Sequence, residues 1–179
     1  ILKDRLYTFR KDSPLRRGSQ TVLFDILVAL TKLMAPVLSF TAEEIWRMLP
    51  ESVRVDSKAD SVHLAMFPEV DPRWADTKLA ERWEQLLEVR TAVQAALEVQ
   101  RREKVIGAPL EAKVLIAAHP AHYDLLKTYG QDLPAFFIVS DVVLQSAPDL
   151  PEKPGFVITV EKATGVKCER CWNYRRSVG

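Results

Sequence analysis

Glycine is scarce in this chain, with six residues in 179. None of them falls in a G-x-G-x-x-G or G-x-x-x-x-G-K pattern, which excludes the tight phosphate-cradling turns of dinucleotide-binding and P-loop enzymes. Cysteine is rarer still. The two present, Cys168 and Cys171, lie too close together to close a stabilising loop, and no apolar leader precedes them, so a reducing compartment, the cytoplasm, is expected. Long hydrophobic runs are missing as well. The most apolar stretch, Val22 to Phe40, contains Asp25, Lys32 and Pro36 and has helical periodicity, which describes a core helix and gives no membrane role. The three histidines form no triad and no nucleophile–base pair is visible, so the chain itself is not expected to catalyse a reaction.

What is there is an ordinary folding composition, 47% hydrophobic and 27% charged, with 25 Lys+Arg against 24 Asp+Glu. A chain of this size hides roughly 70% of its unfolded surface on folding, enough for one domain or two small ones. The formal charge of +1 conceals an uneven distribution. Residues 1–20 carry six basic and two acidic side chains and residues 161–179 carry five and two, so the middle is acidic and both ends are basic. Basic ends flanking an acidic middle suggest local contact with a polyanion, against the plainer reading of solvated charged surface.

Ile1, Leu2, Leu6 and Phe9 sit near helical spacing, as though the sequence began partway into an amphipathic helix of a larger protein. Asp12-Ser13-Pro14 supplies a turn, and Ser19 is the expected N-cap of a helix to about Ala35. On that helix Leu23, Ile26, Leu27, Leu30, Leu33 and Met34 form one apolar stripe. Thr41 and Glu44 have capping-box spacing before a helix to Leu49. Residues 51–61 read as a surface loop, Val62 to Met66 as a short extended piece, and Asp71-Pro72 as a turn. The longest helical pattern runs from about Trp74 to Lys104, with Trp83, Leu86, Leu87, Val93 and Leu97 along one face and Gly107 and Pro109 ending it. Beyond it, Lys113 to Ala118, Phe136 to Leu144 and Phe156 to Val160 read as strands and Ala121 to Tyr129 as a short helix, while Pro148, Pro151 and Pro154 stiffen a loop. The expected architecture is mainly α: a helical bundle over residues 1–106, a small α/β domain over 107–165, and a cysteine-bearing turn over 166–179.

Arg16 and Arg17 fall at a helix start, where the macrodipole disfavours positive charge, and together with free N–H groups they suit a phosphate. Arg101, Arg102 and Lys104 cluster where the long helix frays and are placed to touch a nucleic-acid backbone; a solvated face is the plain alternative for both groups. Arg90 lies on the apolar face of that helix and is expected to pair with a carboxylate in the interior, the alternative being that it reaches past the core edge to solvent or ligand. Cys168 and Cys171, in Cys168-Glu169-Arg170-Cys171-Trp172, can share one zinc ion, though zinc takes four ligands and no second pair exists here, which leaves half a zinc knuckle. A redox dithiol is the rival, but it calls for a helix after the pair on a βαβ unit.

Several segments together resemble bacterial-type isoleucyl-tRNA synthetases, over nearly the whole chain. They are Lys3 to Tyr7, Arg16 to Thr21, Ala35 to Trp46, Ser61 to Leu64, Leu97-Glu98, Arg101, Lys104, Ile106-Gly107, Leu110 to Ala112, and Lys167 to Trp172. The related valyl-type enzymes share the phrase around Phe40 to Trp46 in looser form. The resemblance implies a helical anticodon-binding domain, a small α/β junction domain and a zinc knuckle whose second cysteine pair follows a short spacer beyond the segment seen here. The parent enzyme would join isoleucine to its tRNA with ATP and Mg²⁺, in catalytic and editing parts whose H-I-G-H and K-M-S-K-S motifs do not occur in this sequence. Arg16, Arg17, Arg101, Arg102 and Lys104 would face the anticodon stem and loop. Arg170 and Trp172 would meet unpaired bases, with Trp172 packing over the metal site as the alternative. A structural docking module with little RNA affinity of its own is the rival function.

Overall fold

The computed structural model describes residues 2–57, 59–151, 153 and 155–178. Ile1 of the expected first helix, Pro154 of the stiff loop and the terminal Gly179 lie outside the described residues. The fold is mainly helical with a small mixed sheet, and it divides into two compact units, one from Asp4 to Ala75 and the other from Asp76 onward.

In the first unit, α1 (Leu2–Tyr7) is a short helix with no buried residue. Helix α2 (Pro14–Met34) begins six residues before the expected start, because Pro14 occupies its first turn with φ already set for a helix, and Ser13, not Ser19, precedes it. Ser19 is buried inside the helix, its hydroxyl donating to the Leu15 carbonyl at 2.9 Å. Helix α3 (Ser39–Met48) also starts early, from Leu38, so Thr41 and Glu44 form no capping box. Residues expected as loop form α4 (Glu51–Ser57), and Val62–Leu64 is a 3₁₀ turn where an extended piece was expected.

The core of this unit gathers Ala35, Ala42, Trp46, Leu49, Ala59 and Val62. Trp46 is wholly buried and its indole N–H donates to the Ala59 carbonyl at 3.2 Å. Glu43 closes the structure across 18 residues of chain: its carboxylate accepts from the Ser61 hydroxyl at 2.8 Å and the Val62 N–H at 3.0 Å while Arg47 pairs with it at 3.0 Å. The Ser61 hydroxyl foremost, then the Val62 N–H and Arg47, hold this carboxyl below its ordinary value of 4.5. A carboxyl lowered on folding stabilises the fold above its unfolded value and loses that contribution as pH falls through the folded one. Urea midpoints of the wild type and Glu43→Gln should therefore differ at neutral pH and converge as acid protonates Glu43; a gap that persists in acid would assign Glu43 a purely steric role.

The second unit is built on the long helix α5 (Thr77–Arg102), started by Asp76, whose carboxylate accepts from the Leu79 N–H at 2.9 Å. Strands β1 (Ala112–Ala118), β2 (Asp141–Ser146) and β3 (Phe156–Lys162) follow, with α6 (Pro120–Thr128) and α7 (Leu133–Phe137) in the crossover between β1 and β2. The sheet order is β2-β1-β3, with β2 parallel and β3 antiparallel to the central strand. Ala112, Val114, Ile116 and Ala118 of β1 are buried with Leu86, Val89, Val93 and Leu97 of α5 and Leu126, Leu133 and Phe137 of the crossover. The expected division at residue 106 is thus displaced: α5 lays its apolar face on the α/β elements, and the compact units part at Asp76. Val89, not Leu87, completes that face; Leu87 is exposed. Phe136 and Phe137 end α7 and do not begin a strand, since Phe137 is buried and Phe136 meets Trp83 edge-on at 5.4 Å between ring centroids. Ile138 then turns the chain in the left-handed region before β2.

Strands β4 (Val166–Lys167) and β5 (Tyr174–Arg175) form a small antiparallel hairpin that carries the cysteine turn.

Candidate functional site

The site residues expected from the sequence fall at three places in the fold. In the first unit, the early start of α2 puts Arg16 and Arg17 inside its first turn, which holds no acidic residue. Arg16 is half-buried and spent on the fold, its Nη1 donating to the Phe9 carbonyl at 2.9 Å. Arg17 is exposed and makes no ion pair among the described residues, a cation held where the helix dipole is unfavourable to it.

In the second unit, α5 ends one turn earlier than Gly107. Glu103 caps it and Lys104 takes the left-handed conformation, φ 60°, that a glycine would adopt more easily. Such a backbone costs roughly 1–2 kcal/mol for a residue with a Cβ. Arg101 pairs loosely with Glu98 at 3.4 Å, an exposed contact of little energetic weight. Arg102 and Lys104 are exposed and unpaired among the described residues. Here positive charge suits the helix C-terminus, so the dipole alone accounts for Arg101 and Arg102. Arg90 has no carboxylate partner among the described residues, contrary to expectation; its guanidinium lies 5.4 Å from the centre of the Phe136 ring, a cation–π contact in place of an ion pair.

The third place is the turn between β4 and β5. The Cys168 N–H donates to the Asn173 carbonyl at 2.9 Å and the Trp172 N–H to the Cys168 carbonyl at 2.8 Å, so the loop closes on itself with Trp172 at φ 66°. Backbone N–H groups of Cys171 and Arg170 point at the Cys168 sulfur and hold its thiol below the ordinary range. Amide N–H groups directed at a sulfur favour its thiolate over its thiol, and the thiolate is the form that ligates a metal. The donor set fits one half of a tetrahedral zinc site, and no cluster of three His, Cys, Asp or Glu exists among the described residues to complete it. The redox alternative fails on its own criterion, because a strand follows the cysteines, not a helix. Arg170 and Trp172 both lie on the exposed side of this turn. The Trp172 side chain is 50% exposed, with the Lys3 ammonium 3.9 Å and the Lys167 ammonium 5.9 Å from its ring centre, so a stacked base would displace the nearer cation or use the ring face it leaves open.

Sequence reasoning missed a group that the fold assembles. Lys113 of β1, Asp141 of β2, Thr164, Arg175 of β5 and Arg176 just after it line one cleft of about 520 Å³. The strand register that sets Lys113 opposite Asp141 brings together positions far apart in the chain, which no local motif signals.

Residues 1–116 match the anticodon-binding domain of tRNA ligase, and the chain belongs to that family. Within that class its curated relatives include isoleucine–tRNA ligases. It is 47% identical to those of Geobacter sulfurreducens and Syntrophotalea carbinolica and 41% identical to that of Kosmotoga olearia, with the whole of this chain covered and 19% of each relative. The chain therefore spans about a fifth of the length of these relatives. No helix among the described residues is long and apolar enough to cross a membrane.

Proposed function

We propose that this chain is the tRNA-recognition part of a class I isoleucine–tRNA ligase and grips the anticodon stem and loop of the isoleucine acceptor tRNA. The observation that carries this reading is Arg17: a cation kept exposed and unpaired in a first helical turn, where a neighbouring phosphate would offset the unfavourable dipole. Arg102 and Lys104 add phosphate contacts that position the RNA; Arg16 and Arg101, each already engaged, contribute less. Arg170 and Trp172 meet the unpaired anticodon bases by hydrogen bonding and stacking. Cys168 and Cys171 hold a zinc ion with two further ligands from the parent chain, and the metal supplies rigidity to the loop that carries Trp172. ATP and Mg²⁺ serve the catalytic part of the parent, which this chain accompanies in the cytoplasm.

The test is a fluorescence titration of the chain with matched and mismatched anticodon stem-loops across a salt series. Arg17→Ala should weaken binding of the matched loop and flatten the slope of log K against log salt by about one unit. An unchanged slope assigns Arg17 to the solvated surface. Binding of neither loop at low salt favours the second reading, a docking module for the catalytic body. That reading draws on α2, whose stripe of Leu23, Ile26, Leu27, Leu30, Leu33 and Met34 was expected in the core but is 37–53% exposed. Relatives five times as long leave ample chain to cover it.

A further inference from the structure

The cleft beside the cysteine hairpin has no part in the recognition scheme above, yet its lining is chemically specific. Lys113, Arg175 and Arg176 face a single carboxylate, Asp141, with the Thr164 hydroxyl at the same opening. Arg175 and Arg176 are exposed and make no ion pair among the described residues, while Lys113 is held at 3.7 Å by Glu161, a loose contact that leaves its ammonium hydrogens largely uncommitted.

The walls are fixed. Ser140, at the back of the cleft, is buried; its hydroxyl donates to the Leu110 carbonyl and accepts the Tyr174 N–H at 2.7 Å, which ties the hairpin to the sheet. Gly165 lies against the backbone of Arg175 and Arg176, so the two arginines are set by main-chain packing. A volume of about 520 Å³ admits a phosphate with part of its sugar and excludes a duplex. Arg175 follows Trp172 by three residues, no more than about 10 Å of chain. An aromatic platform and a cationic cleft at that separation suit consecutive units of one single strand, base on the ring and phosphate on the cations.

The geometry points to this cleft as a subsite for a backbone phosphate of single-stranded RNA, clamped by Arg175, Arg176 and Lys113 beside a base stacked on Trp172. The inference rests on the tRNA reading and adds a specific contact to it. Asp141 turns away a second anion and so limits the cleft to one phosphate.

The experiment uses the whole chain. Lys113→Gln and Arg176→Gln, both at solvent-accessible positions, are titrated with a short single-stranded oligoribonucleotide of anticodon-loop sequence beside Arg17→Ala and the wild type, and amide spectra of the wild type are recorded with the oligonucleotide and with inorganic phosphate alone. Each cleft variant should bind roughly five- to tenfold more weakly at low salt and lose about 0.7 from the salt slope, equally for every sequence. Shifts at Thr164 and Arg176 with the oligonucleotide should exceed those with inorganic phosphate. Wild-type affinity in both variants, with Arg17→Ala impaired, overturns the cleft and leaves the tRNA reading standing. Failure of the wild type to bind either this oligonucleotide or the matched stem-loop overturns both. Shifts with phosphate alone and none with the oligonucleotide assign the cleft to a free anion and overturn the RNA subsite.

Discussion

Gly165→Ala should dismantle the β4/β5 hairpin while leaving the three-stranded sheet intact. Gly165 has φ 108°, a backbone that side chains disfavour, and a Cβ there would run into the main-chain atoms of Arg175 and Arg176. These are backbone atoms, so no rotamer change relieves the collision, and the pairing of Val166 with Arg175 and Lys167 with Tyr174 must open. The sheet core of Val114, Ile116, Leu126 and Phe137 takes no residue from the hairpin. Amide resonances over 163–176 should move or broaden, those of β1 should hold, and the variant should no longer separate matched from mismatched stem-loops. Unaltered resonances for Val166 and Tyr174 would show that the hairpin tolerates the displacement.

Trp46→Ala should cost the first unit roughly 3–5 kcal/mol, the usual result of deleting a large buried aromatic. Its indole is wholly buried in a cluster otherwise made of small residues, Ala35, Ala42 and Ala59, with Leu49 and Val62, so little can collapse into the space. The lost N–H also strands the Ala59 carbonyl, a further cost of about 1–3 kcal/mol if water does not reach it. Against a typical domain stability of about 5–15 kcal/mol, that is a large fraction. Hydrogen exchange should show α2 and α3 losing protection while β1 keeps it, because the two buried clusters have no residue in common. Equal loss in both would mean that the units unfold as one.

Much of the secondary structure was legible in the sequence because it rests on local signals: the 3.6-residue periodicity of α2 and α5 and the β-branched run of β1. What periodicity does not say is which surface covers an apolar face. Leu86, Val93 and Leu97 announce a buried stripe, yet only the tertiary fold assigns that stripe to the sheet, and the same logic led to a core position for the α2 stripe that the chain leaves exposed. Helix starts were misplaced where a proline or a backbone cap outranked a side-chain cap. Thr41 and Glu44 have the right spacing for a box, but the helix already begins at Ser39, and the carboxylate that matters is Glu43, which reaches a loop 18 positions away. The cysteine turn was readable from its spacing. The cleft was not, because Lys113 and Arg176 become neighbours only through strand register and a hairpin folded back on the sheet.

The buried Ser140 hydroxyl has one more consequence. By serving two segments at once, it works as a stitch between the end of the mixed sheet and the finger that bears Arg170 and Trp172. Under the tRNA reading proposed above, a finger sewn down in this way would meet its target already shaped, surrendering little ordering entropy at the encounter and leaving discrimination between strands to chemical fit.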